Sequence, residues 1–431
     1  MRADSKVKIQ NSKLGKLAPA LLHWFAANAR DLPWRRTRDP YAIWVSEIML
    51  QQTQVKTVIP YWERWLRDLP SIETVAKASP DKIHKLWEGL GYYNRARNLQ
   101  KAAKQIVGKH GGTFPRNFGD VLALPGIGRY TAGAICSIAF NQPTPVLDGN
   151  VIRVLARIFG IAENPREKDA NTRLWKLAEA LVAGAKMQRW DEATGDPARE
   201  DARPTKNKNC SHLNQSLMEL GALVCTPRNP QCGICPVQKL CVACRENRIT
   251  ALPNLGKRDA ATARRFVAFV VEQSGRFLVR QRPAGVINAH LWEFPNVEID
   301  SSQSSSGRQS AHYSGKNGQS RLTSAATFRK RDSEIASAVE QLGFEPCEVT
   351  PLCTVKHSIT RYRITLEAFR VNFGGTSYTS PHSRPPKSGT RKTRPAEIGI
   401  WKTPAQMREL AFSSAHKKLA SAAFKCILSS R

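Results

Sequence analysis

The stretch LPGIGRYTAGA, Leu124 to Ala134, sets two glycines two apart between apolar flanks and puts Tyr130 where the chain leaves the turn. Upstream, DVLAL has helical periodicity; downstream, TAGAICSIAF has apolar residues three and four apart. The order predicts a helix-hairpin-helix over about 118–140. Gly126 and Gly128 let the chain reverse tightly and bring bare backbone close to another surface. Amides at the start of the following helix then face outward as anion donors. A DNA phosphate suits such donors, which hold it without regard to base sequence. Glycines also serve helix hairpins simply as turns, so the rest of the chain must say whether a polyanion is the partner.

The totals point that way. The chain has 431 residues, enough for two or three domains, and 66 Lys and Arg against 35 Asp and Glu give it a formal charge of +31. Such an excess favours nucleic acid as partner while saying little about fold. The start, MRADSKVKIQ, has no apolar export core, and no run reaches the length of a spanning helix. No membrane association is expected, and a cytoplasmic location is, at the nucleoid if the source is bacterial. Ten cysteines in such a chain read as thiols or metal ligands rather than disulfides.

From Leu17 to about Leu223 the pattern is helical, in segments such as YAIWVSEIMLQQTQV, RARNLQKAAKQIV and VIRVLARIFGI. A polar tract at 189–209 reads as a surface insertion in an all-α domain spanning 1–245. A basic linker at 246–264 leads to an α+β domain at 265–431. There FVAFVVEQSGRFLVRQR is strand-like on both sides of a turn at Ser274-Gly275, RYRITLEAFRVNF alternates as a strand, and SEIASAVEQLGF is the clear helix. Biased tracts at 301–332 and 374–396 interrupt it.

CTPRNPQCGICPVQKLC places Cys225, Cys232, Cys235 and Cys241 in the spacing C-x6-C-x2-C-x5-C. Four thiolates in so short a loop suit tetrahedral zinc or an iron–sulfur cluster, and spacing alone leaves both open. Cys244, just outside the set, reads as a spare.

LPGIGRYTAGA, VLDGN and the cysteine spacing, in that order, resemble the helix-hairpin-helix DNA glycosylases that carry a 4Fe–4S cluster, and SEIMLQQTQV narrows the likeness to the adenine DNA glycosylase (MutY) family. The resemblance covers the helical domain nearly throughout. It implies a 4Fe–4S cluster rather than zinc. It also implies base-excision repair on double-stranded DNA, removing adenine mispaired with 8-oxoguanine or guanine, by a monomer.

Releasing a base calls for one carboxylic acid held neutral and one held ionised. Glu47 sits among Val45, Ile48, Met49 and Leu50, surroundings that raise a carboxyl pKa. Gln51, four residues on, shares its face and can meet a base edge. Asp148 precedes a helix, where a capping role is equally natural and compatible with catalysis. The resemblance implies that Glu47 protonates adenine at N7 and that Asp148 stabilises or captures the oxocarbenium ion. It makes Asn150 the asparagine that orders the water and Asp148. Strand-cutting relatives carry, at the Tyr130 position, a lysine that forms a Schiff base with the sugar. A phenol cannot, so Tyr130 implies a monofunctional enzyme, although an aromatic there can also simply pack on the core. Gln52 and Tyr92 match the family's intercalating residues, and Arg35 and Leu50 match residues of the adenine pocket.

LWEFPNVEI and SEIASAVEQLGF resemble a Nudix fold, yet ASAVEQLG keeps only Glu340 of the glutamates that hold magnesium, so no nucleotide hydrolysis is expected. Where the family reads the oxidised guanine with Phe-Ser-His, this chain has Ile359, Thr360 and Arg361, and Thr360 keeps the hydroxyl for lesion contact. Two other readings remain open to the sequence: a thymine or uracil mismatch glycosylase of the same superfamily, and a non-enzymatic iron–sulfur DNA-binding protein.

Overall fold

A computed structural model of the chain describes residues 2–187, 208–256, 260–299, 323–342, 348–359, 361–372 and 399–429. Thr360, the biased tract 374–396, residues 301–322 and all of 189–209 except Lys208 and Asn209 lie outside the described residues. The chain divides into two compact units, Met1–Leu86 with Asn94–Arg258, and Trp87–Tyr93 with Asp259–Arg431. No described helix is long and apolar enough to cross a membrane.

The first unit is helical: α1 (Arg2–Asn28), α2 (Pro40–Leu50), α3 (Val55–Asp68), α4 (Ile72–Lys77), α5 (Pro80–Leu86), α6 (Asn94–His110), α7 (Phe118–Leu122), α8 (Arg129–Phe140), α9 (Gly149–Phe159), α10 (Lys168–Met187), α11 (Asn209–Leu223) and α12 (Val242–Arg245). Its helix starts are encoded locally. Asp39, Asn117 and Asp148 each turn a side-chain oxygen onto the first free amides of α2, α7 and α9. The apolar spacing then decides which faces meet. Val151, Val154, Leu155 and Ile158 form one stripe of α9 and pack with Leu17 and Leu21 of α1, Leu177 and Leu181 of α10, and Leu213, Leu217 and Leu220 of α11.

The α7–α8 hairpin separates its two glycines by role. Gly126 has φ of +78°, and a Cβ there would lie 2.6 Å from Asn98 Cβ, so the turn itself requires glycine. Gly128 precedes α8 with an extended backbone and nothing within 4 Å of where its Cβ would be. It leaves an open approach to the first amides of α8.

In the second unit, strands β1 (Thr262–Gln273), β2 (Arg276–Gln281), β3 (Trp292–Glu293), β4 (Asn296–Ile299), β5 (Glu348–Ile359), β6 (Tyr362–Asn372) and β7 (Ile400–Lys402) form one mixed sheet in the order β3-β2-β1-β6-β5, with β4 on β1 and β7 on β2. β1 and β6 run parallel, and the other pairs are antiparallel. Ser274 and Gly275, with φ of 51° and 71°, make the tight turn between β1 and β2. FVAFVV reads as a continuous apolar run because β1 is covered on both faces. Val267, Phe269 and Val271 face helix α13 (Thr323–Gln341), while Ala268 and Val270 face helices α14 (Pro404–Glu409) and α15 (Ser414–Ser429).

Two boundaries differ from the sequence reading. β1 begins at Thr262, inside the stretch read as linker, because ladder pairing with β6 starts at Thr262 opposite Tyr362 and takes in exposed residues without an apolar signal. α13 begins at Thr323, inside the tract read as biased, because Ala325, Ala326, Arg329, Lys330 and Arg331 are good helix formers once the Ser- and Gln-rich run ends.

Candidate active site

α2 is buried from Tyr41 to Met49, so a carboxyl at Glu47, only 5% exposed, has almost no water around it. Burial is the largest influence on it and pushes its pKa up to about 7. The nearby Asp148 charge pushes the same way, while a hydrogen bond from Tyr130 and the charge of Arg35 pull it down. Tyr130 stands in the first turn of α8 and donates its hydroxyl to Glu47 Oε2 at 2.8 Å. Its ring packs on the helical core, as the packing reading of this tyrosine expects. Burial, then the charges of Glu47 and Asp148, raise the phenol's pKa well above its usual value and keep it protonated. With Oε2 accepting from Tyr130, the acid proton of Glu47 belongs on Oε1.

Asp148 caps α9. Its Oδ1 accepts from Val151 N at 2.7 Å, and its Oδ2 accepts from Asn150 Nδ2 at 3.0 Å. Burial raises its pKa above the usual value, against the lowering effect of these two hydrogen bonds and of Arg153. Asn150 is itself held, its Oδ1 accepting from Arg153 Nη2 at 2.8 Å.

Glu47, Tyr130, Asp148 and Asn150 all line one cleft of about 660 Å³, together with Arg35, Leu50, Gln51, Gln52 and Gly128. Nine site residues read from the sequence thus meet in one place. Gly126 does not line the cleft, because its work is in the turn. Gln52 sits exposed at the end of α2 with φ of 58°, a left-handed conformation uncommon for a residue with a side chain. The loop is held from beneath by Arg95, which donates to the carbonyls of Ile48, Met49 and Gln51 at 2.9, 2.9 and 2.5 Å. Tyr92 belongs to the 87–93 segment of the second unit, with φ of 48° and 45% exposure.

Sequence reading missed the floor of the cleft. Glu219 of α11, 1% exposed, takes Arg30 and Arg35 together, with Nη2 of each on its Oε2 at 2.7 and 3.0 Å. Burial alone would raise its pKa, but the hydrogen bonds from the two guanidiniums outweigh it and hold Glu219 ionised, at about 2. Arg35 also donates through Nε to Gln215 Oε1 at 3.0 Å, and Gln215 Nε2 donates to Ser211 Oγ at 3.1 Å. The signal was present: Ser211, Gln215 and Glu219 fall four apart, a polar stripe on an otherwise apolar helix. Gly221 of the same helix was also missed. A Cβ there would lie 2.6 Å from Asn150 Cβ. Gly221→Ala is expected to gain about 1 kcal/mol of helix propensity and lose about 1–3 kcal/mol to overpacking, a net effect between about zero and a loss of about 2 kcal/mol. Turnover is expected to fall at least about tenfold, because displacing Asn150 misplaces Asp148. Thermal melting beside single-turnover kinetics separates the two effects.

The four cysteines follow α11. Cys225 leaves its end, Cys232 opens a 3₁₀ turn, Cys235 closes it, and Cys241 caps α12. All four line a small pocket walled by Val154, Ile158, Leu220 and Val224. Arg157, itself buried, donates through Nη1 to Cys225 Sγ at 3.3 Å. Arg153 Nε donates to Cys225 O at 2.7 Å, so one guanidinium ties Asn150 to the first cysteine. Four cysteine sulfurs around an apolar pocket, one of them accepting from a buried guanidinium, fit a multi-sulfur centre.

A helical hairpin, a cleft with a buried, proton-retaining acid and a helix-capping aspartate, and a four-cysteine loop define the class of base-excision DNA repair proteins. Residues 45–180 match the family model of the HhH-GPD superfamily base excision DNA repair proteins, and 225–241 match the iron–sulfur binding domain of endonuclease III. The loop is therefore a site for a 4Fe–4S cluster. Residues 266–422 match the NUDIX domain. The Adenine DNA glycosylase of Rattus norvegicus is 40% identical over 334 residues, which are 65% of this chain and 60% of that protein. The chain thus spans about three fifths of that relative's length. The Adenine DNA glycosylase of Buchnera aphidicola subsp. Schizaphis graminum is 36% identical over 279 residues, 64% of this chain and 74% of that protein. The structure of a thermostable thymine-DNA glycosylase aligns with 55% of this chain and 98% of its own at 31% identity and a TM-score of 0.46. The chain belongs to the adenine DNA glycosylase family.

Proposed function

We propose that this chain is a monofunctional adenine DNA glycosylase of base-excision repair, acting on adenine opposite 8-oxoguanine or guanine in double-stranded DNA. The observation that carries this reading is the hydrogen-bonded pair of Tyr130 and a neutral-held Glu47 in the same cleft as Asp148. Adenine is a poor leaving group and must be extruded from the duplex to reach the cleft, at a cost that a mispair reduces. Glu47 gives its proton to N7 as the bond between N9 and C1′ breaks, and the bond's electron pair leaves with the base. The sugar becomes an oxocarbenium ion, which the Asp148 carboxylate stabilises while Asn150 keeps that carboxylate oriented. Water completes the hydrolysis. Tyr130 offers no amine for an imine, so the abasic strand stays intact.

The second unit reads the base opposite adenine through the loop that holds Ile359, Thr360 and Arg361. On this reading it hydrolyses no nucleotide, because ASAVEQLG keeps one glutamate, Glu340, where a magnesium site needs several. The 4Fe–4S cluster, held by Cys225, Cys232, Cys235 and Cys241, supplies a rigid brace for the loop against α9.

The test uses duplexes holding one 8-oxoguanine·adenine, guanine·adenine, thymine·guanine or uracil·guanine pair, followed by alkali. Breaks at adenine, appearing only after alkali, are expected. Breaks at thymine or uracil would move the assignment to a mismatch glycosylase, and none at all to a DNA binder. A borohydride-trapped adduct would contradict the role given to Tyr130.

The acid's protonation sets a pH dependence. Glu47 must carry its proton, so excision is expected to fall as pH rises through about 7. The Tyr130 hydrogen bond lowers that pKa, so Tyr130→Phe is expected to move the alkaline limb upward. Single-turnover rates from pH 6 to 9 read this directly; an unmoved limb means that Tyr130 does not tune Glu47.

A further inference from the structure

The cysteine loop holds one thiol more than a four-ligand cluster uses. Cys244 lies in α12, three residues beyond Cys241 and so on the same helical face, and it lines the same pocket as the four ligands. Its side chain lies near that of Cys232, in the same pocket. The short helix that carries it is firmly seated. A Cβ on Gly160, which ends α9 with φ of +67°, would lie 2.5 Å from Val242 Cγ1, so α12 rests directly on that glycine. Ala243 is fully buried, and its carbonyl accepts from Arg248 N at 2.8 Å. Cys244 is thus a preplaced thiol in the lining of the cluster pocket, near Cys232.

We propose that Cys244 is a reserve ligand of the iron–sulfur cluster, which takes the iron of Cys232 when that thiolate is lost. The exchange needs side-chain rotation and no movement of α12. The bond from Cys232 Sγ to its iron breaks and that sulfur takes a proton from solvent, while the Cys244 thiol gives a proton to solvent and its thiolate forms the replacement bond to the same iron. One thiolate replaces another, so cluster charge and oxidation state are unchanged and no oxidant is required. The inference rests on the cluster and not on adenine excision, so the two stand or fall separately.

Iron per chain and visible absorbance of the purified full-length protein test it, in wild type, Cys244→Ala, Cys232→Ser, Cys235→Ser and Cys232→Ser with Cys244→Ala. Cys244→Ala is expected to match wild type. Cys232→Ser should keep more than about half of the wild-type iron, while Cys235→Ser and the double variant fall below about a tenth. Iodoacetamide should label Cys244 in wild type and spare it in Cys232→Ser. The proposal is overturned if Cys232→Ser loses iron as Cys235→Ser does, or if it is insoluble while Cys244→Ala is soluble, since the fifth thiol was present and did not rescue. Iron retained in the double variant overturns it as well. Wild-type protein without iron would end it together with the cluster reading.

Discussion

Asp148→Asn is expected to slow adenine excision from an 8-oxoguanine·adenine duplex by roughly 10³-fold or more while leaving duplex binding intact. The substitution removes the negative charge that, on the proposed reading, faces the developing sugar cation, together with the oxygen that accepts from Asn150. Asparagine caps helices as well as aspartate does, so the bond to Val151 N survives and α9 keeps its start. The partner geometry does change: with its one oxygen on Val151 N, the new amide turns its NH2 toward Asn150 Nδ2, a donor facing a donor, so the bond from Asn150 is lost. Burial already raises the Asp148 pKa, so losing the charge does not destabilise the fold. A melting temperature close to wild type together with abolished turnover is the expected pair of results. Turnover within tenfold of wild type would remove Asp148 from the chemistry.

Glu47→Gln is expected to cost about 10² to 10⁴ in rate, the usual worth of a general acid, and at the same time to stabilise the protein at alkaline pH. The sign follows from linkage. The folded pKa of about 7 lies above the ordinary value of 4.5, so the folded chain holds a proton that the unfolded chain releases. Below pH 4.5 both states are protonated and the carboxyl has no ionisation cost. As pH rises to about 7 the folded state falls behind, and above it the whole penalty, about 3 kcal/mol, is present. Glutamine never ionises and carries none of it. Urea unfolding at pH 4 and pH 8 should therefore show a gain for the variant at pH 8 alone. An equal difference at both values would mean that Glu47 is not held neutral, and the assignment of the acid would go with it.

The two effects come from one cause. A carboxyl that keeps its proton in a dry cleft is a good acid and a poor structural residue. Tyr130 and Arg35 moderate that strain without abolishing it, and the ionised Glu219 beneath them fixes Arg35 against the cleft floor.

Much of this was legible in one dimension because its causes are local. Glycine at Gly126 follows from a positive φ, and asparagine or aspartate before α7 and α9 from free amides at a helix start. The apolar spacing of VIRVLARIFGI gives the buried stripe of α9, and the run FVAFVV gives a strand covered on both faces. The cysteine spacing announced a metal loop before any fold was known. Glu47 was conspicuous for a similarly simple reason: no neighbour in its own segment could neutralise it.

What tertiary structure alone decided lies between segments distant in the chain. Arg30 and Arg35 meet Glu219 across more than 180 residues, and Tyr130 meets Glu47 across 83. A glycine in α11 makes room for Asn150, two arginines four apart on α9 turn toward the cysteine loop, and a spare cysteine proves to face the cluster pocket. Periodicity says which side of a helix is apolar, because that depends on the helix alone. Which partner stands opposite a buried charge depends on where other helices pack, and the packing is settled by the whole core at once. The sequence by itself therefore determined the elements, the hairpin, the cysteine loop and the two carboxylates; folding determined which charges neutralise one another, and so which acid keeps its proton.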